Sequence, residues 1–188
     1  MSSGGCDFYP SCTSTGGTAV SAGTLTISGG TLAAPVMVAP SADTYSYTAS
    51  TLFSAGQTLV VSASGATVPS FGPDSVVAPG LPVLTAPAAS AGAYTIATTA
   101  DLTVTWTGGE SGDLFFIEGV DTSNAYFVCE WDASLGSGTV PQAVLAGLAG
   151  QSNAFLAYAQ FATTTFTVGG YSISESALPY SGGTATFQ

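Results

Sequence analysis

No Lys, Arg or His occurs anywhere in the 188 residues, while Asp and Glu together number 11, for a formal net charge of −11. A chain built this way has no side-chain cation with which to form an internal salt bridge. Each carboxylate must therefore be solvated, accept hydrogen bonds from backbone or side-chain donors, or bind a metal. Burial and the backbone hydrogen-bond ladder must hold the fold. Charged residues make up only 6% of the chain, against about a quarter in ordinary proteins. Trypsin-like proteases would find nothing to cleave, which suits a protein working among secreted proteases; deliberate removal of positive charge would leave the same trace.

The missing residues exclude whole classes of function. Nucleic-acid affinity rests on Lys and Arg contacts to phosphate, and the net negative charge repels both phosphate backbones and anionic headgroups, so no nucleic acid is expected as a partner. Ser-His-Asp and Cys-His catalysis, lysine Schiff bases and histidine-ligated zinc are all impossible. Only carboxylate chemistry survives, and the expectation is a protein without catalytic residues. With no histidine to titrate, stability should be nearly flat between about pH 6 and 8.

Apolar residues form 46% of the chain, which is enough for a folded core. Its 24 glycines and 10 prolines punctuate short β-rich runs, the pattern of an all-β protein whose strands pack as a sandwich. The runs "GTLTISGG" (23–30), "DTYSYTAS" (43–50), "QTLVVSAS" (57–64), "PVLTAP" (82–87), "AYTIA" (93–97), "DLTVTWTG" (101–108), "DLFFIEG" (113–119) and "AYFVCEWDA" (125–133) read as strands, followed by "AFLAYAQFA" (154–162), "TTFTVGGYSISES" (164–176) and "TATFQ" (184–188). In a strand, alternate residues share a face. Leu102, Val104 and Trp106 therefore point one way, and Phe127, Cys129 and Trp131 do likewise, which places Trp106, Cys129 and Trp131 in a core. One helix is expected, over Val140–Leu148: Pro141 suits a first turn, Ala and Leu favour helix, and Val140, Val144, Leu145 and Leu148 fall on one face. Residues 132–138 read as a strand exit and a glycine turn leading into it.

"VVAPGLPVL" (76–84) is the best internal boundary, because two prolines and a glycine interrupt strand pairing. The expected organisation is a flexible tether over 1–18, an N-terminal β module over 19–79 and a C-terminal β-sandwich module over 80–188. No run of 18 apolar residues is present, and "MSSGGCDFYPSC" lacks the charged and apolar regions of a signal peptide. Ser3 stands where the Leu of a lipoprotein acceptor sequence would be. Of the three cysteines, Cys6 and Cys12 enclose a short loop and are the first candidates for a disulfide, leaving Cys129 as a buried free thiol; the alternative joins Cys129 to one of them. A bond of either kind implies an oxidising compartment.

Seven of the 11 acids fall between Asp101 and Asp132. Glu110 with Asp113, and Glu118 with Asp121, flank turns and are the candidates for calcium, which prefers oxygen ligands, although no EF-hand spacing is present. "VDTSNAYFV" (120–128) has Ser123 where the aspartic-protease signature needs glycine, and no second copy supplies a partner carboxylate. It reads as a turn formed by Asp121 and Asn124. Tyr45, Tyr47, Tyr94, Tyr126, Tyr158, Tyr171 and Tyr180 include enough rings for a carbohydrate-stacking face, with a coplanar exposed row as the distinguishing feature.

The segments "DLTVTWTGG", "FVCEWDASLGSGTVPQAVLAGL" and "TFTVGGYSISES", in that order, resemble the C-terminal module of uncharacterised secreted lipoproteins of myxobacteria and other soil bacteria. "AGQTLVVSASGATVPSFGPDSVVAP" (55–79) resembles the stretch before it, so the resemblance covers about residues 23–176. It implies an immunoglobulin-like β-sandwich at the cell surface, outside the cell or in the periplasm, and assigns no catalytic residue. Those proteins usually carry some Arg or Lys, which a charge-stripped variant would lack. The expected function is a structural, self-assembling or surface-interacting protein that meets protein partners or its own copies through strand edges or apolar patches. Carbohydrate binding is the alternative, and a carboxylate-dependent hydrolase, needing two paired acids in a cleft, the remote one.

Overall fold

A computed structural model of the chain describes residues 5–11 and 17–188. Fourteen strands are present among them: β1 (Cys6–Tyr9), β2 (Leu25–Gly29), β3 (Val36–Val38), β4 (Thr58–Ala63), β5 (Phe71–Val77), β6 (Val83–Ala86), β7 (Ala93–Ile96), β8 (Leu102–Thr107), β9 (Leu114–Val120), β10 (Tyr126–Asp132), β11 (Ser137–Val140), β12 (Ala154–Val168), β13 (Tyr171–Ala177) and β14 (Tyr180–Phe187). The chain divides into two compact units. Unit 1 holds the described residues 5–11 with Gly80–Phe161 and Leu178–Gln188; unit 2 holds 17–79 with Ala162–Ala177.

Unit 1 is a β-sandwich. One layer orders its strands β1-β10-β9-β12-β14-β7, with β7 parallel to β14 and the remaining pairs antiparallel. The other layer is β11-β8-β6. The order is that of an immunoglobulin-type sandwich: early strands β6 and β8 pair with β11 in one sheet, while β9, β12 and β14 form the other and a parallel edge strand closes it. Between the layers, Val104 and Trp106 of β8 face Phe115 and Ile117 of β9, Phe127, Cys129 and Trp131 of β10, Leu156 of β12 and Phe187 of β14, all buried. The period-two reading of 101–107 and 127–132 thus describes the two halves of one core.

Trp106 is fixed in three ways. Its ring stacks on Phe115 with centroids 3.9 Å apart, it lies near Trp131 at 5.9 Å, and its Nε1–H donates to the carbonyl of Ala133 at 2.7 Å. A buried indole needs such an acceptor.

Residues 132–148 turn the chain between layers. Asp132 accepts from the Ser134 backbone N–H at 2.9 Å, starting one 3-10 turn, Ala133–Leu135, and Gly136 leaves it with φ of 67°. The glycine turn expected here is shorter than the sequence reading allowed, because Ser137–Val140 forms β11 against β8. Gly138 lies against the face of the Trp131 ring, leaving no room for a Cβ. The expected helix over Val140–Leu148 is likewise shorter. Val140 ends β11, Pro141 is the N-cap, and the α-helical part, α1, is Gln142–Leu145, followed by a 3-10 turn over Ala146–Leu148. Val140, Leu145 and Leu148 are fully buried and Val144 packs beside them, so the apolar face survives the change of backbone.

The N-terminal segment corrects the expected tether over 1–18. Cys6–Tyr9 forms an edge strand of unit 1, with Phe8 packed on the core. Cys6 lies opposite Cys129, their Cα atoms 4.1 Å apart, and the two sulfurs are bonded. The expected Cys6 to Cys12 pairing and the free Cys129 thiol are therefore replaced by the alternative bond; Cys12 itself lies outside the described residues.

Unit 2 packs a four-stranded sheet, ordered β3-β2-β4-β5, against the hairpin formed by the second half of β12 and β13. Its apolar contacts form two clusters, one of Leu59, Val76, Ala78 and Ala177, the other of Ala22, Ala63 and Val68 with Val168, Tyr171 and Ile173 against it. The expected modules 19–79 and 80–188 thus differ from the observed units by residues 162–177. A single sheet cannot dry its own inner face, and the β12–β13 hairpin supplies the second layer. The run expected as a strand at 43–50 is irregular, with only a bridge between Ser41 and Thr44. Ala42 and Asp43 have positive φ, and the Tyr45 hydroxyl donates to the carbonyl of Gly23 at 2.7 Å and accepts from the Ala22 N–H at 2.9 Å.

Candidate functional site

Several carboxylates of unit 1 accept hydrogen bonds from turns and neighbouring segments. Asp121 accepts from the backbone N–H groups of Ser123 at 2.7 Å and Ala125 at 2.9 Å, and from the Ser123 hydroxyl. Burial pushes its pKa up, but the hydrogen bonds from Ser123, Ala125 and Asn124 outweigh it and hold the carboxyl below its ordinary value. Asn124 takes a positive φ of 65° in the same turn, the role these residue types suit. The Ser134 hydroxyl and N–H lower Asp132 in the same manner. Asp101 accepts from the Gln142 N–H at 2.7 Å at the start of α1. Asp113 accepts from the Gln160 side-chain amide at 2.8 Å, and Glu110 from the Gly80 N–H at 3.4 Å.

These partners separate the four residues expected as a calcium set. Glu110, Asp113 and Asp121 each accept from a different segment, while Glu118 lies mid-strand on β9 between Val128 of β10 and Ala157 of β12. Burial raises the Glu118 pKa. Among the described residues, no group of three or more His, Cys, Asp or Glu is placed to hold a metal.

The outward face of the six-stranded layer carries a continuous row. Direct cross-strand partners run from Tyr9 on β1 to Tyr126 on β10, Val120 on β9, Phe155 on β12 and Thr184 on β14. Tyr9 and Phe155 are well exposed. Side chains directly opposite across a ladder share a face, so this row crosses five strands. The next row, two residues along each strand, is Asp7, Val128, Glu118, Ala157 and Gly182. A third contains Glu130, Phe116, Ala159 and Tyr180; Tyr180 is 71% exposed, while Ala159 is fully buried. The face is thus apolar and aromatic, interrupted by three carboxylates and no cation.

The tyrosines named from the sequence are dispersed. Tyr94 is buried in unit 1, where burial and then the neighbouring Tyr158 raise its pKa. Tyr158 lies against Phe115, Tyr171 packs in unit 2, Tyr45 is engaged by its hydroxyl, and Tyr47 and Tyr180 are exposed. Tyr9 and Tyr126 stack on one another, centroids 4.7 Å apart and planes 15° from parallel. Each spends a ring face on the other, which differs from the side-by-side coplanar arrangement that a flat sugar-binding row requires.

Two acids that sequence reasoning passed over meet in unit 2. Glu175 of β13 is buried and faces inward with Ile173 and Ala177; burial, and then the charge of Asp74 on β5, raise its pKa. The signal was readable: in "YSISESA" the apolar phase Tyr171, Ile173, Ala177 is occupied at its third position by a glutamate.

An all-β protein with an immunoglobulin-type sandwich and a two-layer second unit is the class that these features define. Compared with known proteins, the chain matches no family model, no curated sequence and no solved structure at a significant level.

Proposed function

We propose that the chain is a non-enzymatic, extracytoplasmic β-sandwich protein with a structural or surface-interaction role, of the kind its resemblance to secreted bacterial lipoproteins implies. The observation that carries this reading is the row Tyr9, Tyr126, Val120, Phe155 and Thr184 across the outward face of unit 1. A contiguous apolar surface on a β layer is what a protein-binding face offers. The use of Asp101, Asp121 and Asp132 as backbone caps supports the same reading, since those carboxylates already serve the fold. The Cys6–Cys129 bond favours an oxidising location, and no helix is long and apolar enough to cross a membrane among the described residues.

Asp7, Glu118 and Glu130 lie within this face, so contact between two copies is opposed by like charge until salt screens it. Sedimentation velocity at about 0.15 M and about 1 M salt tests this. The expected result is association of the wild type at the higher salt that Phe155→Asp abolishes and Met37→Lys leaves intact; Met37 lies on edge strand β3 and is 74% exposed. Loss of association in Met37→Lys alone would move the contact to the strand edge. A monomer under every condition would remove self-association from the reading.

A further inference from the structure

Glu175 is 9% exposed, both of its carboxylate oxygens are buried, and neither accepts a hydrogen bond. Along β13 it lies between residues of the two apolar clusters of unit 2: Ile173, two residues before it, packs against one cluster and Ala177, two residues after it, belongs to the other. Its direct cross-strand partner is Thr164. The Thr164 hydroxyl donates at 3.2 Å to the carbonyl of Ser75, the residue that follows Asp74, and Asp74 is the carboxylate whose charge Glu175 feels. Asp74 thus lies near Glu175, whose carboxylate has no hydrogen-bond partner. A buried ionised carboxylate persists only when something neutralises it. The chain has no Lys, Arg or His to do so.

We propose that Glu175 and Asp74 form the core of a calcium site in unit 2. The groups that register and hydrogen bonding bring beside Glu175 offer oxygen: the Thr164 hydroxyl opposite it, the Ser75 carbonyl that this hydroxyl meets, and the Asp74 carboxylate next to Ser75. That set selects a hard cation over zinc, copper or iron. Calcium accepts irregular shells of six to eight oxygens and completes them with water, whereas magnesium demands a near-ideal octahedron. With two carboxylates the site belongs in the weak class, with a Kd of about 10⁻⁴–10⁻³ M, occupied in calcium-rich surroundings and empty in calcium-poor ones. The inference is independent of the docking face on unit 1 and of whether that face binds a partner.

The test is thermal unfolding of the full chain after chelation, with calcium added back to about ten times the Kd and sodium or magnesium chloride at matched ionic strength as controls, since simple screening also stabilises a protein of charge −11. At that excess the folded-to-unfolded ratio should rise about tenfold, a shift of a few degrees in Tm. Glu175→Gln and Asp74→Asn should lose the calcium-specific part, while Asp43→Asn, which removes an exposed acid of the same unit, keeps it. Calorimetric titration with calcium chloride should show one saturable site in the wild type and none in Glu175→Gln. An equal calcium response in the wild type and Glu175→Gln would overturn the proposal in favour of diffuse counter-ion binding. A wild type that responds to acid but not to calcium would overturn it in favour of a protonated Glu175.

Discussion

Cys6 and Cys129 face each other across the β1–β10 ladder and are joined by a disulfide that spans 123 residues of sequence. The bond ties an edge strand from the start of the chain to the buried Cys129 in the middle of the unit 1 core. The bond removes from the unfolded chain the freedom of a long loop. Cys6→Ser or Cys129→Ser should lower stability by about 2–5 kcal/mol in urea unfolding, and the wild type should show the same fall when a reductant is present. Peptide mapping without reduction should recover Cys6 and Cys129 in one linked fragment. A linked fragment of Cys6 with Cys12 would contradict the observed pairing.

Replacing Trp106 by Phe keeps an aromatic ring against Phe115 but removes the donor that the Ala133 carbonyl accepts from. The carbonyl is then left unsatisfied beside a buried residue, at a cost of about 1–3 kcal/mol. Equilibrium unfolding of Trp106→Phe measures it, and a change below about 0.5 kcal/mol would mean that the hydrogen bond contributes little.

At Gly119 a single methyl group is enough to disturb unit 1. A Cβ there would overlap the Phe127 ring and approach the Phe187 ring at 2.9 Å, and those two rings pack edge to face. Gly119→Ala should destabilise by about 1–3 kcal/mol through overpacking, and Phe127→Leu in the same chain should recover part of that loss. Additive losses in the double variant would show that the two sites do not share the strain.

The pH dependence should have two opposed limbs. Glu118 and Glu175 have folded pKa values raised by burial, so the folded state holds more protons than the unfolded chain. Their contribution is then fully present below the ordinary glutamate range and is lost as pH rises toward the folded values. Asp121 and Asp132 have lowered values; their contribution is present above the ordinary aspartate range and disappears as pH falls through the folded values. In chelator, stability should therefore peak in mild acid and decline on either side. Glu175→Gln should flatten the decline toward neutral pH and leave the acid limb unchanged. An unaltered slope above the peak in Glu175→Gln would remove Glu175 from this account.

The elements that local pattern dictates were legible in the residues. Alternation alone placed Val104 and Trp106, and Phe127, Cys129 and Trp131, in a common interior, because a strand sends successive side chains to opposite faces whatever it pairs with. The capping at Asp121 and the buried face of Val140, Leu145 and Leu148 were readable for the same reason: each depends on neighbours within a few residues. Strands β1, β3, β5 and β11 were not: β1, β3 and β11 are three or four residues long, β5 carries Gly72 and Pro73 near its start, and all four derive their order from the partner strand.

What the amino-acid sequence determined by itself is the absence of every basic side chain, and with it of histidine or lysine chemistry, together with the all-β alternation that builds the apolar interiors. These follow from composition and from a period of two residues, neither of which requires knowing what lies across the chain. Only the tertiary structure decided which cysteine Cys6 joins, that residues 162–177 complete the unit begun by 17–79, and that Glu175 is buried with no hydrogen-bond partner. Those are matters of register and of which sheet faces which, and a ladder's register is set by contacts between strands far apart in sequence.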